Sequence, residues 1–517
     1  MSRGKSDRLV LAVFLLAMAA VRVPGLLSRA VYHGEAITLL EASGHAFPSW
    51  PEEPTPAAVA KRQMEGASAA GRPTFAHPSV YYWCLSAWRA VFGYTLEAAR
   101  ALSLVFSLAT LTVVYLLLRA AGVSNPFVPL LIYGVTMASV YFGHEARGYA
   151  LSAFLISLAA LFAWRACETE SLNQRQRLRY AMGMAVCCGI AFSTHYFARF
   201  PAGVILAWYF FQTWRVSRMR AVFPLGLTAL LVLAGALIVL PDFDMRSRQL
   251  VGFMGPMREA VSLLRLNMFT LFTPVYYPQF DGIPFFLVWM ALLVYTLVDI
   301  WRSWQDINRR LMVLLLGLAA APSVGLFLVD LLLDRHLHEI RYLTLAGPVL
   351  ALLAGISLGR LLERRRWMAL FLITGLVLIQ LTGVNWNRER PPMFQGGSAM
   401  RSFARGLRQL PDGSYVVAIG AGSARGTPAT VIHELDPTVP IVVFSEKSDL
   451  TGVAATLQGY PDVFLVASGE RRTAAQEQTL ADLLRGQGRT PQQWTEQPTQ
   501  YHQYAARFSK ARPSDGW

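Results

Sequence analysis

Charge is what this sequence holds least of: 15% of its 517 residues are Asp, Glu, Lys or Arg, against 54% hydrophobic. A soluble chain of this length carries more polar residues, so the composition excludes that class and points to a polytopic membrane protein. Acid is scarcer than base, 32 residues against 47, and leaves a net charge of +15. The basic excess gathers between apolar runs, at 175–179, 215–220, 302–310 and 360–366. The cytoplasmic bias of positive loops accounts for that pattern, and no nucleic-acid partner is implied. Cysteine is nearly missing. The four present, Cys84, Cys167, Cys187 and Cys188, lie in or beside apolar segments, none in the polar tail and none at metal-ligand spacing, and they read as packing residues. No internal repeat is visible. The first apolar run, 8–27, lacks a convincing cleavage site, so it reads as a retained first helix with a cytoplasmic N-terminus.

What is present in quantity is apolar sequence. About eleven runs have the roughly 20 residues that a hydrocarbon core demands. They lie near 8–27, 96–118, 125–142, 148–165, 180–197, 199–214, 222–240, 283–300, 311–332, 342–359 and 367–384. The segment 78–92 is apolar but short and carries Trp83, Trp88 and Arg89. If it lies along the membrane surface, all four basic loops fall on the side of the N-terminus; if it spans, all four face outward, against the positive-inside bias. The first arrangement is adopted. The expected fold is therefore mostly α, a polytopic helical membrane protein, N-in and C-out. The domain division is 1–390 for the transmembrane module and 393–517 for a small extracytoplasmic α/β domain. Within the module, 32–95 is a first outer loop with interfacial helices and 242–282 a lid loop, with Arg246, Arg248, Tyr276 and Tyr277. In the tail the predicted strands are Tyr415–Ile419, Pro440–Ser445 and Val463–Ser468, with helices near 398–409 and 473–486. Gly420 to Gly426 resembles a dinucleotide fingerprint with its third glycine one position late, and tight-turn packing is the better account.

This topology puts several ionisable residues on one side: Glu35, His77, the run Gly143-His144-Glu145-Ala146-Arg147-Gly148-Tyr149, His195, and the stretch from His336 to Tyr342. Singly, each has an ordinary explanation. Glu35 suits a helix N-terminus, His77 precedes a first-turn proline, Glu145 and Arg147 form a loop salt bridge, and Arg341 with Tyr342 anchors a helix at the interface. Their agreement on one face weakens those explanations together and suggests a polar cavity at the outer interface.

Gly34-Glu35-Ala36, then His77-Pro78-Ser79-Val80-Tyr81-Tyr82, Phe92-Gly93 and Arg100, then residues 143–149, Thr194-His195-Tyr196-Phe197 and Arg341-Tyr342 follow one another in an order that resembles the integral-membrane GT-C glycosyltransferases. More narrowly, the order is similar to the bacterial branch related to protein O-mannosyltransferases and lipid A aminoarabinose transferases. The resemblance covers roughly residues 8–360 and leaves the tail aside. It implies a transferase that takes a sugar from a polyprenyl-phosphate carrier and passes it to a lipid, glycan or protein on the periplasmic side of a bacterial inner membrane. By that resemblance Glu35 and Glu145 are the catalytic candidates, Glu35 as base and Glu145 as a support for Arg147 or for a cation. His77, Arg147, His195, Arg341 and Tyr342 are the candidates for the donor phosphate. A monophosphate donor does not demand a metal, so no cofactor is required, although Glu145 leaves room for a divalent ion. Two departures matter: the family's usual Asp-Glu is Gly34-Glu35 here, with Glu41 a fallback, and His77 stands where the aminoarabinose branch carries lysine. A lipid-carrier flippase and an inactive envelope scaffold are the competing classes. Acids at span ends rather than at the bilayer midplane, and the missing duplication, favour the enzyme.

Overall fold

A computed structural model describes residues 3–28, 31, 33–43, 50–65, 80–168, 172–214, 218–239, 251–252, 255–271, 283–304, 308–333, 335–336, 343–386, 403–411, 413–421, 426–445, 448–467, 474–493 and 504–510. The strands among them are β1 (Thr55–Pro56), β2 (Val251–Gly252), β3 (Arg335–His336), β4 (Tyr415–Ala421), β5 (Pro440–Ser445), β6 (Asp462–Ala467), β7 (Arg489–Gln493) and β8 (Tyr504–Lys510). Everything else of regular structure is helical. The chain divides into two compact units.

The first unit draws on 1–27, 75–88 and 97–388. By length and composition, five described helices can cross a membrane: Ser6–Leu27, Leu96–Ala120, Tyr149–Ala166, Arg309–Leu332 and Ala346–Arg364. Ala221–Ala234 and Arg366–Thr382 are apolar but shorter. Gln174–Phe192, Arg199–Thr213 and Ile283–Arg302 are also helical, so this is a multi-pass membrane protein. The short segment 78–92 contains a helix at Val80–Phe92.

One predicted span differs. The stretch 125–142 is two short helices, Phe127–Gly134 and Met137–Tyr141, because Thr136 leaves helical geometry and caps the second through its Oγ1, which accepts from the Ser139 N–H. Such a break exposes backbone carbonyls inside apolar surroundings, where each needs a partner. Arg22 on the first helix supplies it. This fully buried guanidinium donates to the carbonyls of Gly134 and Ser139 and to the hydroxyls of Ser107 and Ser139. The proposed lid, 242–282, contains a helix at Pro256–Leu271 with Glu259 buried; Arg246, Arg248, Tyr276 and Tyr277 lie outside the described residues.

The second unit draws on 28–74, 89–96 and 389–517. Its sheet has the order β1-β5-β4-β6-β8-β7, with β5, β4 and β6 parallel, β8 antiparallel to β6, and β7 antiparallel to β8. The central strands read as continuous apolar runs because both faces are covered. β1 comes from the segment between the first helix and the helix Val80–Phe92. Thr55 stands opposite Ile441 and Pro56 opposite Pro440, and Ala57 N–H donates to Val439 O at 2.8 Å. Helix His33–Ala42, which carries Glu35, packs its Ala36 and Leu40 into one apolar cluster with Phe403, Val417, Ile432 and Ile441. The sequence reading kept residues 32–95 with the membrane module; compactness instead groups 28–74 and 89–96 with the tail. The physical reason is that the apolar stripe of helix 33–42 packs with the helix Gly426–Glu434 and the tail's strands into one core.

Candidate functional site

Within the first unit, the turn 143–148 is the centre of a set of close approaches that demand small residues. A Cβ on Gly143 would press into the Ser139 carbonyl and come within 2.6 Å of Ser107 Oγ. A Cβ on Gly25 of the first helix would lie 2.7 Å from the His144 ring. At Gly148 the same atom would be 3.1 Å from Thr194 O and 3.4 Å from Tyr81 Cβ. The turn is thereby wedged between the first helix, the helix Val80–Phe92 and the turn after Phe192. Val80 N–H donates to Ser193 O at 3.3 Å, the Tyr81 and Ser103 hydroxyls are 3.1 Å apart, and Arg100 Nη1 donates to Leu26 O at 3.1 Å.

His144, Glu145 and Arg147 are all buried, Glu145 completely. Arg147 N–H turns back to Glu145 O at 2.7 Å, which tightens the loop between them. Tyr149 organises the neighbourhood. Its ring lies 4.9 Å from Phe142, 5.0 Å from His195 and 5.7 Å beneath the Arg147 guanidinium, a cation–π distance. His195 Nδ1 accepts from Phe197 N–H at 3.4 Å, which fixes the ring at the start of a short 3-10 turn. A small cleft beside the turn is lined by Ser107, Thr110, Tyr133, Ser139, Tyr149 and Thr344.

Of the sequence-derived candidates, Glu145, Arg147 and His195 are thus brought to adjoining turns. Glu35 is fully buried in the first turn of its helix, in the second unit, with Glu41 buried on the same helix. His77, Arg341 and Tyr342 lie outside the described residues. Sequence reasoning missed Arg22 and named Tyr149 only as the end of the 143–149 motif, without a role. A lone arginine in an apolar run was the available signal for the first, since such a charge is tolerated in a membrane only when its donors are used. Among the described residues, no three His, Cys, Asp or Glu side chains cluster as a metal ion requires.

The fold resembles that of solved integral-membrane GT-C enzymes, the class whose ordered motifs the sequence also resembles. The structure aligns with ArnT from Cupriavidus metallidurans over 98% of both chains, at 13% identity and a TM-score of 0.58 in its apo state. With ArnT bound to undecaprenyl phosphate, coverage and TM-score are the same, at 12% identity. The oligosaccharyltransferase of Archaeoglobus fulgidus aligns more loosely, with a TM-score of 0.44 and 12% identity over 87% of this chain and 67% of that one. No protein-family model and no curated protein match the sequence.

Proposed function

We propose that this protein is a membrane glycosyltransferase that moves a sugar from a polyprenyl-phosphate carrier to an acceptor hydroxyl or phosphate on a lipid, glycan or protein. The observation that carries the reading is the end-to-end alignment with ArnT, a protein solved with undecaprenyl phosphate bound. The buried His144, Glu145 and Arg147 beside His195 support it, because a departing lipid phosphate needs fixed cationic and hydrogen-bonding groups around it.

In this reading the acceptor oxygen attacks the anomeric carbon as the bond from that carbon to the phosphate oxygen breaks, through an oxocarbenium-like state, with inversion. The acceptor's proton passes to Glu35. The electron pair of the broken bond leaves with the polyprenyl phosphate, whose added charge Arg147, Arg341, Tyr342, His77 and His195 receive. Glu145 orients Arg147; it is also the group that would support a divalent ion, although the monophosphate donor does not require one. A base at this step is worth about 10² to 10⁴ in rate. The reading includes eleven spans, N-in and C-out, in a bacterial inner membrane, with the chemistry on the periplasmic side.

The test is release of free polyprenyl phosphate from a mixture of polyprenyl-phosphate sugars by the purified protein, with a membrane extract supplying acceptors. Release by the native protein, abolished by Glu35→Gln, is the expected result, and the consumed donor identifies the sugar. Equal release by both forms moves the base elsewhere. No release by a folded protein that still binds these lipids favours a flippase or a scaffold.

A further inference from the structure

We propose that the C-terminal α/β unit is the positioning element for the Glu35 helix, with Glu434 fixing where that helix begins and Arg89 where it ends. The proposal rests on the reading of Glu35 as the base. All its contacts lie inside the second unit.

The helix starts at His33. Two residues earlier, the buried Val31 donates its N–H to Glu434 Oε1 at 2.9 Å, and Glu434 closes the helix Gly426–Glu434 of the tail. One turn apart, Ala36 and Leu40 lock the next face of the helix into the tail's apolar cluster. Successive residues of an α-helix point about 100° apart, so holding Ala36 against the sheet layer also sets the direction in which Glu35 points. At the far end, Arg89 Nη1 donates to Leu39 O at 3.1 Å and to Ser43 Oγ at 2.7 Å, while Nη2 donates to Tyr94 O at 2.9 Å. A cation is favourable against helix C-terminal carbonyls. The planar fork of arginine holds these acceptors at once, which lysine does not. The chain beyond the helix is tied down as well. Pro51 O accepts from Val443 N–H at 2.8 Å, and Glu52 Oε1 accepts from Ser448 Oγ at 2.7 Å. The start and one face of the Glu35 helix are therefore fixed by the polar tail, and its end by Arg89 of the helix Val80–Phe92; together they aim the carboxylate.

The full-length protein tests this with Glu434→Ala, Glu434→Gln and Arg89→Lys, read by kcat and KM for the donor in polyprenyl-phosphate release and by amide hydrogen exchange over residues 31–42. Glu434→Ala and Arg89→Lys are expected to lower kcat by ~10- to 100-fold, as misplacement of a reacting group does. KM should stay within about twofold, since donor binding is not what is lost. Exchange over 31–42 should accelerate in both variants, and Glu434→Gln, whose side-chain oxygen still accepts the Val31 N–H, should restore both readouts. Unchanged exchange in Glu434→Ala, faster exchange with native kcat, or equal loss in the Gln variant would overturn the proposal. If Glu434→Ala also loses protection in β4, the domain has unfolded, and Arg89→Lys, outside the tail, decides alone. Failure of the native protein to release polyprenyl phosphate is seen before any variant is made; it overturns the glycosyltransferase reading and this proposal with it.

Discussion

Nη2 of Arg22 donates a 2.9 Å hydrogen bond to the carbonyl oxygen of Gly134, joining the first membrane helix to the broken segment 127–141. The same guanidinium reaches Ser139 and Ser107, so one side chain holds the approach to the turn that carries Glu145 and Arg147.

Arg22→Leu is accordingly expected to cost about 3 kcal/mol or more, because buried acceptors left without a donor cost about 1–3 kcal/mol each. Arg22→Lys should recover only part of this, having a single point of donation. Thermal unfolding of the purified protein in detergent or nanodiscs measures both. A Leu variant as stable as the native protein would refute the account of the helix break.

Gly25→Ala separates geometry from stability. Alanine favours a helix interior by about 1 kcal/mol over glycine, yet here its methyl would displace the His144 ring. The expected outcome is a thermal midpoint close to native with donor turnover reduced by about tenfold or more. Native turnover would mean that the 143–148 turn absorbs the shift without consequence.

Leu40 lies on the helix His33–Ala42 and is 1% exposed in the apolar cluster it shares with the tail. Leu40→Ala should therefore destabilise the C-terminal unit by about 2–5 kcal/mol, the usual cost of a large-to-small change in a core. The check is exchange protection at β4 and β6. If protection there is untouched while residues 33–42 loosen, the helix is merely resting on the domain.

Asp462 predicts a pH dependence. Burial pushes its carboxyl up, but the hydrogen bonds from Arg507 and Ser509 and the charges of Arg507 and Arg489 outweigh that and hold it below the ordinary value. A folded-state value lowered in this way contributes stability above the unfolded carboxyl value of about 3.9, and that contribution is lost as pH falls through the folded value. Asp462→Asn should thus be less stable than native at neutral pH, with the gap closing below about pH 4. A gap that stays constant into acid would show that Arg507 gains nothing from the charge.

Much of the membrane portion was legible because five of its described helices are long, uninterrupted apolar runs. The central tail strands were legible for a similar reason: Val416 to Ile419, Ile441 to Phe444 and Val463 to Val466 are apolar runs bounded by polar or turn-forming residues. The failures share a cause as well. β1 is two residues in a proline-rich stretch, and β7 is Arg-Thr-Pro-Gln-Gln, which has neither alternation nor β-branched content beyond Thr490; both exist because a distant partner strand pairs with them. The break at Thr136 was hidden by apolar residues on either side. Of the candidate site, motif order brought Glu145, Arg147 and His195 to attention. The parts played by Arg22 and Tyr149 depend on approaches between helices that no local pattern carries.

The hydrogen bond between Val31 and Glu434 closes a span of 403 residues. A ribosome adding about 5–20 residues per second needs roughly 20–80 s to make that span. For all that time the apolar stripe of Ala36 and Leu40 is without its permanent cover, and its partners in the tail arrive about 400 residues later. Biogenesis of the Glu35 segment is thus timed from the tail: it is made long before the residues that secure it.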